Sequence, residues 1–186
     1  MNLNLPNLLI FFRILLIPVF LVFFFIPGLR LVAMVAFIAA SVTDYFDGYY
    51  ARKWDMVTNF GKLMDPLADK MLVSSALIAL AAQQELAAWV VVVIICREFW
   101  VTSLRMLALE QGLPIISASV WGKIKTTFQL TLIISLLAGL ASGEDFGRLF
   151  VPFGAYVAVI LVYLTVFATI YSAVEYTRDY RGVFKA

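Results

Sequence analysis

Six apolar runs, at roughly 7–26, 31–53, 58–82, 86–111, 117–141 and 149–177, occupy about four-fifths of the 186 residues. A helix crossing a bilayer needs about 20 apolar residues, so each run is long enough to span. The segments between them, such as "PGLR" at 27–30, "QQEL" at 83–86 and "SGEDFGR" at 142–148, carry turn residues or charge. None could hold a soluble domain of ~100 residues. The prediction is an all-α, polytopic integral membrane protein with six transmembrane helices, residues 1–186 forming one membrane domain. Composition agrees: 63% of residues are hydrophobic and 14% charged, against roughly 45–50% and 25% in soluble proteins. The first run is too long for a signal peptide, and bulky Phe23, Phe24, Phe25 and Ile26 stand where a cleavage site would need small residues, so it reads as a span that Pro18 should kink.

With six spans both termini lie on one side. That side carries Arg13, Arg52, Lys53, Lys62, Arg105, Lys123, Lys125, Arg178, Arg181 and Lys185, whereas the other has Arg30 and Arg148. This asymmetry predicts cytoplasmic N- and C-termini. The chain has no histidine and one cysteine, Cys96, within an apolar run. Imidazole chemistry, disulfides and Cys-cluster metal sites are therefore excluded. A formal charge of +2 with no Lys/Arg run gives no sign of a nucleic-acid partner.

Five of the twelve acidic residues fall between positions 44 and 69, at the ends of two consecutive apolar runs. Ionisable groups at membrane depth are costly unless they pair, bind ions or line a wet cavity, so this cluster is the candidate functional site. At ~100° per residue, Asp47, Gly48 and Ala51 lie within about 60° of Asp44 on the second helix. On the third, Gly61, Asp65 and Asp69 recur every four residues, the two carboxylates ~6 Å apart along the axis. A short turn makes the helices antiparallel neighbours, and their acidic faces can converge. Four carboxylates without imidazole or thiol are hard oxygen donors, suited to Mg²⁺, Mn²⁺ or Ca²⁺. They balance two divalent ions, and two ions ~3.5–4 Å apart can clamp a diphosphate. Gly48, Ala51 and Gly61 leave room beside them, and Arg52 can reach a phosphate oxygen. A simpler reading pairs the acids with Arg52, Lys53, Lys62 and Lys70 as an interfacial ion network, but it does not require small residues in that register. Asp55, outside the register, reads as a loop charge.

The pattern Asp44, Asp47, Gly48, Ala51, Arg52, then Gly61, Asp65 and Asp69 resembles the full signature of the CDP-alcohol phosphotransferase family. Further along, "PNLLIFFRILLIPVF", "DPLADK", "REF" followed by "SLR", and "WGKIKTT" resemble the family's bacterial branch that acts on sn-glycerol 3-phosphate. The resemblance implies an enzyme of the bacterial cytoplasmic membrane, with its active site facing the cytoplasm. It would transfer the phosphatidyl group of CDP-diacylglycerol to sn-glycerol 3-phosphate, giving phosphatidylglycerophosphate and CMP. It also implies Mg²⁺ (or Mn²⁺), two ions, with Asp44, Asp47 and Asp65 around one and Asp44, Asp65 and Asp69 around the other. Asp69 would be the catalytic base, and Gly48, Ala51, Arg52 and Gly61 would lie at the bound CDP-diacylglycerol. A homodimer is a further implication. Cardiolipin, phosphatidylserine or phosphatidylinositol synthesis would use the same metal centre. A divalent-cation transporter is the alternative from another class, disfavoured by the single acidic cluster and the lack of an inverted repeat.

An anionic acceptor needs cationic donors near the acids. The candidates are Arg105, Lys123 and Lys125, at the cytoplasmic ends of the fourth and fifth helices, although topology alone also explains such charges. Arg13, inside the first span, can contact a phosphate or pair with an aspartate. Arg97 and Glu98 lie near the middle of the fourth span. As neighbours diverging by ~100°, they are not expected to pair; Glu98, seven residues before Arg105, is expected to orient it. Trp54, Trp89, Trp100 and Trp121 read as interface anchors.

Overall fold

A computed structural model describes residues 5–53, 59–112, 119–141 and 151–184. Within these segments the side chains of 5–7, 44–53, 59–63, 65, 151–156 and 183–184 lie outside the description. Six long helices follow one another: α1 Leu5–Phe25, α2 Arg30–Lys53, α3 Asn59–Ala82, α4 Ala88–Glu110, α5 Val120–Ala141 and α6 Val151–Asp179, with a short 3₁₀ turn at Arg181–Phe184. No strand occurs among the described residues. The helices follow the apolar runs because periodicity and length are local properties. α1 continues through Pro18 and α3 through Pro66.

The helix ends have local causes. After α1, Leu29 N–H donates to Ile26 C=O at 3.2 Å. Pro27 and Gly28 (φ +82°) fill the central positions of this turn, the second of which demands the positive φ that glycine supplies. α3 ends in a Schellman motif: Gln84 N–H donates to Ala81 C=O and Glu85 N–H to Leu80 C=O, both at 3.0 Å, with Gln84 left-handed at φ +61°. Gly112 (φ +67°) terminates α4.

Leu8–Phe25, Val120–Ala141 and Val157–Asp179 meet both the length and the apolarity needed to cross a membrane. α2, α3 and α4 are as long, at 24, 24 and 23 residues, but they carry the charges of the candidate site. The outer surface is apolar: Leu15, Val35, Ile78, Val92, Ile160 and Val174 are all exposed. So large an apolar exterior marks a lipid-facing protein. Inside, α1 packs on α2 and α3, α5 on α6 and α2, and α4 on α6 and α3. Phe20 meets Phe24 and Phe37 with ring centroids 5.7 and 5.8 Å apart. Ala33, Ala40, Ala76 and Ala79 are fully buried in the same cluster. Lipid tails are as apolar as these side chains, so close van der Waals packing over small residues holds the helices together, not expulsion of water.

Candidate active site

α3, α4 and α5 line an open cleft. Each lines it at helical spacing: Asp69, Val73 and Leu77 from α3, Ile94 and Glu98 from α4, and Lys125 and Gln129 from α5, with Lys70, Ser74, Ile95, Thr126 and Leu130 beside them. The charged residues gather at one end and the apolar ones at the other, because α3 and α5 enter the bundle with their polar turns first and α4 leaves it with its own last.

The charged end is cross-braced. Lys125 is 3% exposed and forms an ion pair with Glu98. Arg97 Nη1 donates to the same carboxylate oxygen, Glu98 Oε1, at 3.0 Å. The remaining Arg97 nitrogens reach Ser172 Oγ on α6, Nε at 3.1 Å and Nη2 also in contact. Lys70 donates to the hydroxyl of Thr102, which itself donates to Glu98 C=O at 2.7 Å. Two cations thus share one partly buried carboxylate, a pattern that holds when each remaining donor finds an acceptor.

This geometry corrects two expectations. Arg97 and Glu98 do pair, because long side chains can arc over the ~100° between adjacent Cα positions. Glu98 does not orient Arg105: among the described residues its ion pairs are with Lys125 and Arg97, and Arg105 turns instead to α6. There Arg105 Nη2 donates to Tyr176 Oη at 2.7 Å. Backbone N–H of Ser119, at the start of α5, donates to the same oxygen at 3.1 Å. Ser119 Oγ in turn accepts from Gly122 N–H at 3.0 Å, capping the helix. The guanidinium carbons of Arg97 and Arg105 lie 5.6 and 5.1 Å from the Tyr176 ring centroid, within cation–π range.

Of the residues singled out from sequence, Asp69 and Lys125 come together in the cleft. Lys123, two positions from Lys125, is exposed on another face of α5. Arg105 is held at Tyr176 and is not among the cleft-lining residues. Arg13 is fully buried on the inward face of α1, in line with Ile10 and Ile17. Asp44, Asp47, Gly48, Ala51 and Arg52 fall within α2, and Gly61 and Asp65 within α3, but their side chains lie outside the described residues, as do Trp54 and Asp55. The backbone is helical through these positions. Among the described residues no three metal-binding side chains cluster; Asp69 is the one member of the acidic set whose side chain is included. An oxygen-only donor set with no histidine anywhere in the chain fits a hard divalent ion. Gln129, Tyr176, Ser172 and Thr102 were not anticipated. The signal for the α6 pair was present: Thr165, Thr169, Ser172 and Tyr176 recur at helical spacing on one buried face of an otherwise apolar helix.

A family model described as CDP-alcohol phosphatidyltransferase matches residues 3–171, most of the chain. The chain belongs to that family. Among curated relatives of this CDP-alcohol phosphatidyltransferase, one from Bacillus subtilis is 43% identical over 93% of each chain, and one from Haemophilus influenzae is 34% identical over 98% of this chain and 96% of its own. Both are named CDP-diacylglycerol–glycerol-3-phosphate 3-phosphatidyltransferase. A Mycobacterium tuberculosis relative, named probable phosphatidylglycerophosphate synthase, is 38% identical over 97% of this chain and 85% of its own. The resemblance drawn from the acidic pattern is thereby established at the level of the family, which sets the transporter reading aside.

Proposed function

We propose that this family member transfers the phosphatidyl group of CDP-diacylglycerol to sn-glycerol 3-phosphate, releasing CMP and forming phosphatidylglycerophosphate. The full-length relatives bearing that name support the reading. The structural observation that carries it is the shared cleft of Asp69 and Lys125. That cleft sets an acidic-motif carboxylate beside a buried cation, as an enzyme needs when its acceptor carries both a hydroxyl to deprotonate and a phosphate to hold. In this reading all six helices span the bacterial cytoplasmic membrane, the termini and the charged end of the cleft face the cytoplasm, and two copies of the chain associate.

Asp44, Asp47, Asp65 and Asp69 would hold Mg²⁺ or Mn²⁺, two ions in number. When bound, such ions neutralise diphosphate charge and ease departure of CMP. Gly48, Ala51, Arg52 and Gly61 would accommodate the cytidine diphosphate portion. Lys125, with Arg105 and Lys123 nearer the cytoplasmic surface, would attract and hold the acceptor's phosphate. Asp69 would take the proton of the C1 hydroxyl as its oxygen bonds to the phosphorus bearing diacylglycerol. The bond from that phosphorus to the CMP oxygen then breaks, and the proton passes to water. General-base assistance of this kind contributes about 10²–10⁴-fold.

The test uses the purified full-length chain with CDP-diacylglycerol in mixed micelles. CMP release should require both Mg²⁺ and sn-glycerol 3-phosphate and should stop on addition of EDTA. Equal release with inositol or serine would refute the acceptor assignment. Undiminished release in EDTA would refute the metal.

A further inference from the structure

Gln129 lines the cleft one helical turn beyond Lys125 on α5. It is 3% exposed, and its carbonyl oxygen Oε1 is buried with no hydrogen-bond partner among the described residues. A buried amide oxygen is costly to leave unsatisfied, and it can only accept a hydrogen bond. What it meets must therefore be a donor. Phosphate oxygens and the ester carbonyls of a diacylglycerol are acceptors and cannot serve. Hydroxyl or amino groups can, and between the two substrates these belong to the glycerol of the acceptor and to the nucleoside.

Position decides between them. The cleft is lined from α3, α4 and α5, and Lys125, the cation proposed for the acceptor's phosphate, stands on the same face of α5 as Gln129. Lys125 and Gln129 are four residues apart, about 6 Å along one face of the helix. That is the reach of a three-carbon phosphate ester. With its phosphate at Lys125 and its C1 hydroxyl at Asp69, glycerol 3-phosphate has one further donor to place, the hydroxyl on C2. We propose that Gln129 Oε1 accepts that hydroxyl and so acts as a specificity-determining residue, distinguishing a glycerol backbone from acceptors lacking a donor at this carbon. The inference rests on the phosphatidyl-transfer reading above and adds to it the recognition of the acceptor's middle carbon.

The experiment compares sn-glycerol 3-phosphate with 3-hydroxypropyl phosphate, in which hydrogen replaces the C2 hydroxyl, using CMP release by the full-length protein in micelles. A wild-type preference in kcat/KM of about 10- to 100-fold for the glycerol compound is expected from one buried hydrogen bond. In Gln129→Met, of similar size but without the acceptor oxygen, the preference should fall to within about threefold, with the KM for CDP-diacylglycerol unchanged. The ratio of two specificity constants from one preparation does not depend on the fraction of folded protein, so partial misfolding cannot imitate the result. Should Gln129→Met be inactive, Gln129→Asn, which withdraws the amide by one methylene, is scored by the same ratio. A wild-type ratio near one overturns the proposal, as does a ratio left intact by these substitutions or a rise confined to the KM for CDP-diacylglycerol. Absence of any glycerol 3-phosphate-dependent CMP release by the wild type would instead overturn the phosphatidyl-transfer reading itself.

Discussion

Removing the Glu98 carboxylate should strand a lysine inside the bundle. In Glu98→Leu, Lys125, whose side chain is 3% exposed, loses its ion-pair partner, while Arg97 keeps its bonds to Ser172. Removing one member of a buried pair costs about 3–5 kcal/mol, because the remaining charge stays desolvated. The lower end applies here: the Glu98 side chain is 20% exposed and faces an open cleft, so water can partly resolvate the ammonium. For a chain of this length about 3 kcal/mol lowers Tm by roughly 6–12 °C. Glu98→Leu combined with Lys125→Met removes both charges and fills the space with apolar atoms, which should restore part of the loss; the rest remains because Arg97, 10% exposed, still lacks the carboxylate. Thermal unfolding of the wild type, both single variants and the double variant, purified in one detergent, measures the coupling directly. A shift under about 2 °C for Glu98→Leu, or a double variant no more stable than that single, would refute the claim that the pair is buried and interdependent. Activity should not follow stability: the double variant is expected to fold but to lose affinity for the acceptor, since Lys125 is also the cation proposed at its phosphate.

Two further outcomes follow from the same geometry. Tyr176→Phe keeps the ring beneath both guanidinium groups but removes the oxygen that accepts from Arg105 and from Ser119 N–H. It should cost about 2 kcal/mol, or roughly 4–8 °C in Tm, and raise the KM for glycerol 3-phosphate without altering that for CDP-diacylglycerol; unchanged values for both would show that the phenol positions nothing. Asp69→Asn should lower kcat by at least about 100-fold while retaining CDP-diacylglycerol binding, whereas Asp44→Asn should lose binding as well. Near-normal turnover in Asp69→Asn would remove it as the base.

Much of the helical layout was legible in the chain. The helix bounds lie within about three residues of the apolar runs, because backbone hydrogen bonding in a helix is local and a run of apolar residues between turn signals delimits it. The acidic pattern rests on the same local rule, since residues at three- and four-residue spacing share a face of a helix, and of its four aspartates the described side chains include Asp69. The cations were not. Lys123 and Lys125 stand two residues apart in the same turn, and composition cannot rank them. A rotation of ~200° separates them, and packing of α5 against its neighbours turns Lys125 inward and leaves Lys123 outside.

Gln129 and Tyr176 were harder still, since an uncharged polar residue in an apolar span resembles any other until its surroundings are known. The links that shape the site join positions far apart in the chain: Lys70 to Thr102, Glu98 to Lys125, Arg97 to Ser172 and Arg105 to Tyr176. Local periodicity carries no information about such pairs. By itself, then, the sequence determined that this is a helical membrane chain with its acids gathered on two consecutive helices, because those are matters of composition and spacing. Which lysine stands beside Asp69, which cations hold Glu98 and which amide oxygen waits one turn deeper were decided by the tertiary structure alone. Each depends on the rotation of one helix against another, and that is settled by side-chain packing across the whole bundle.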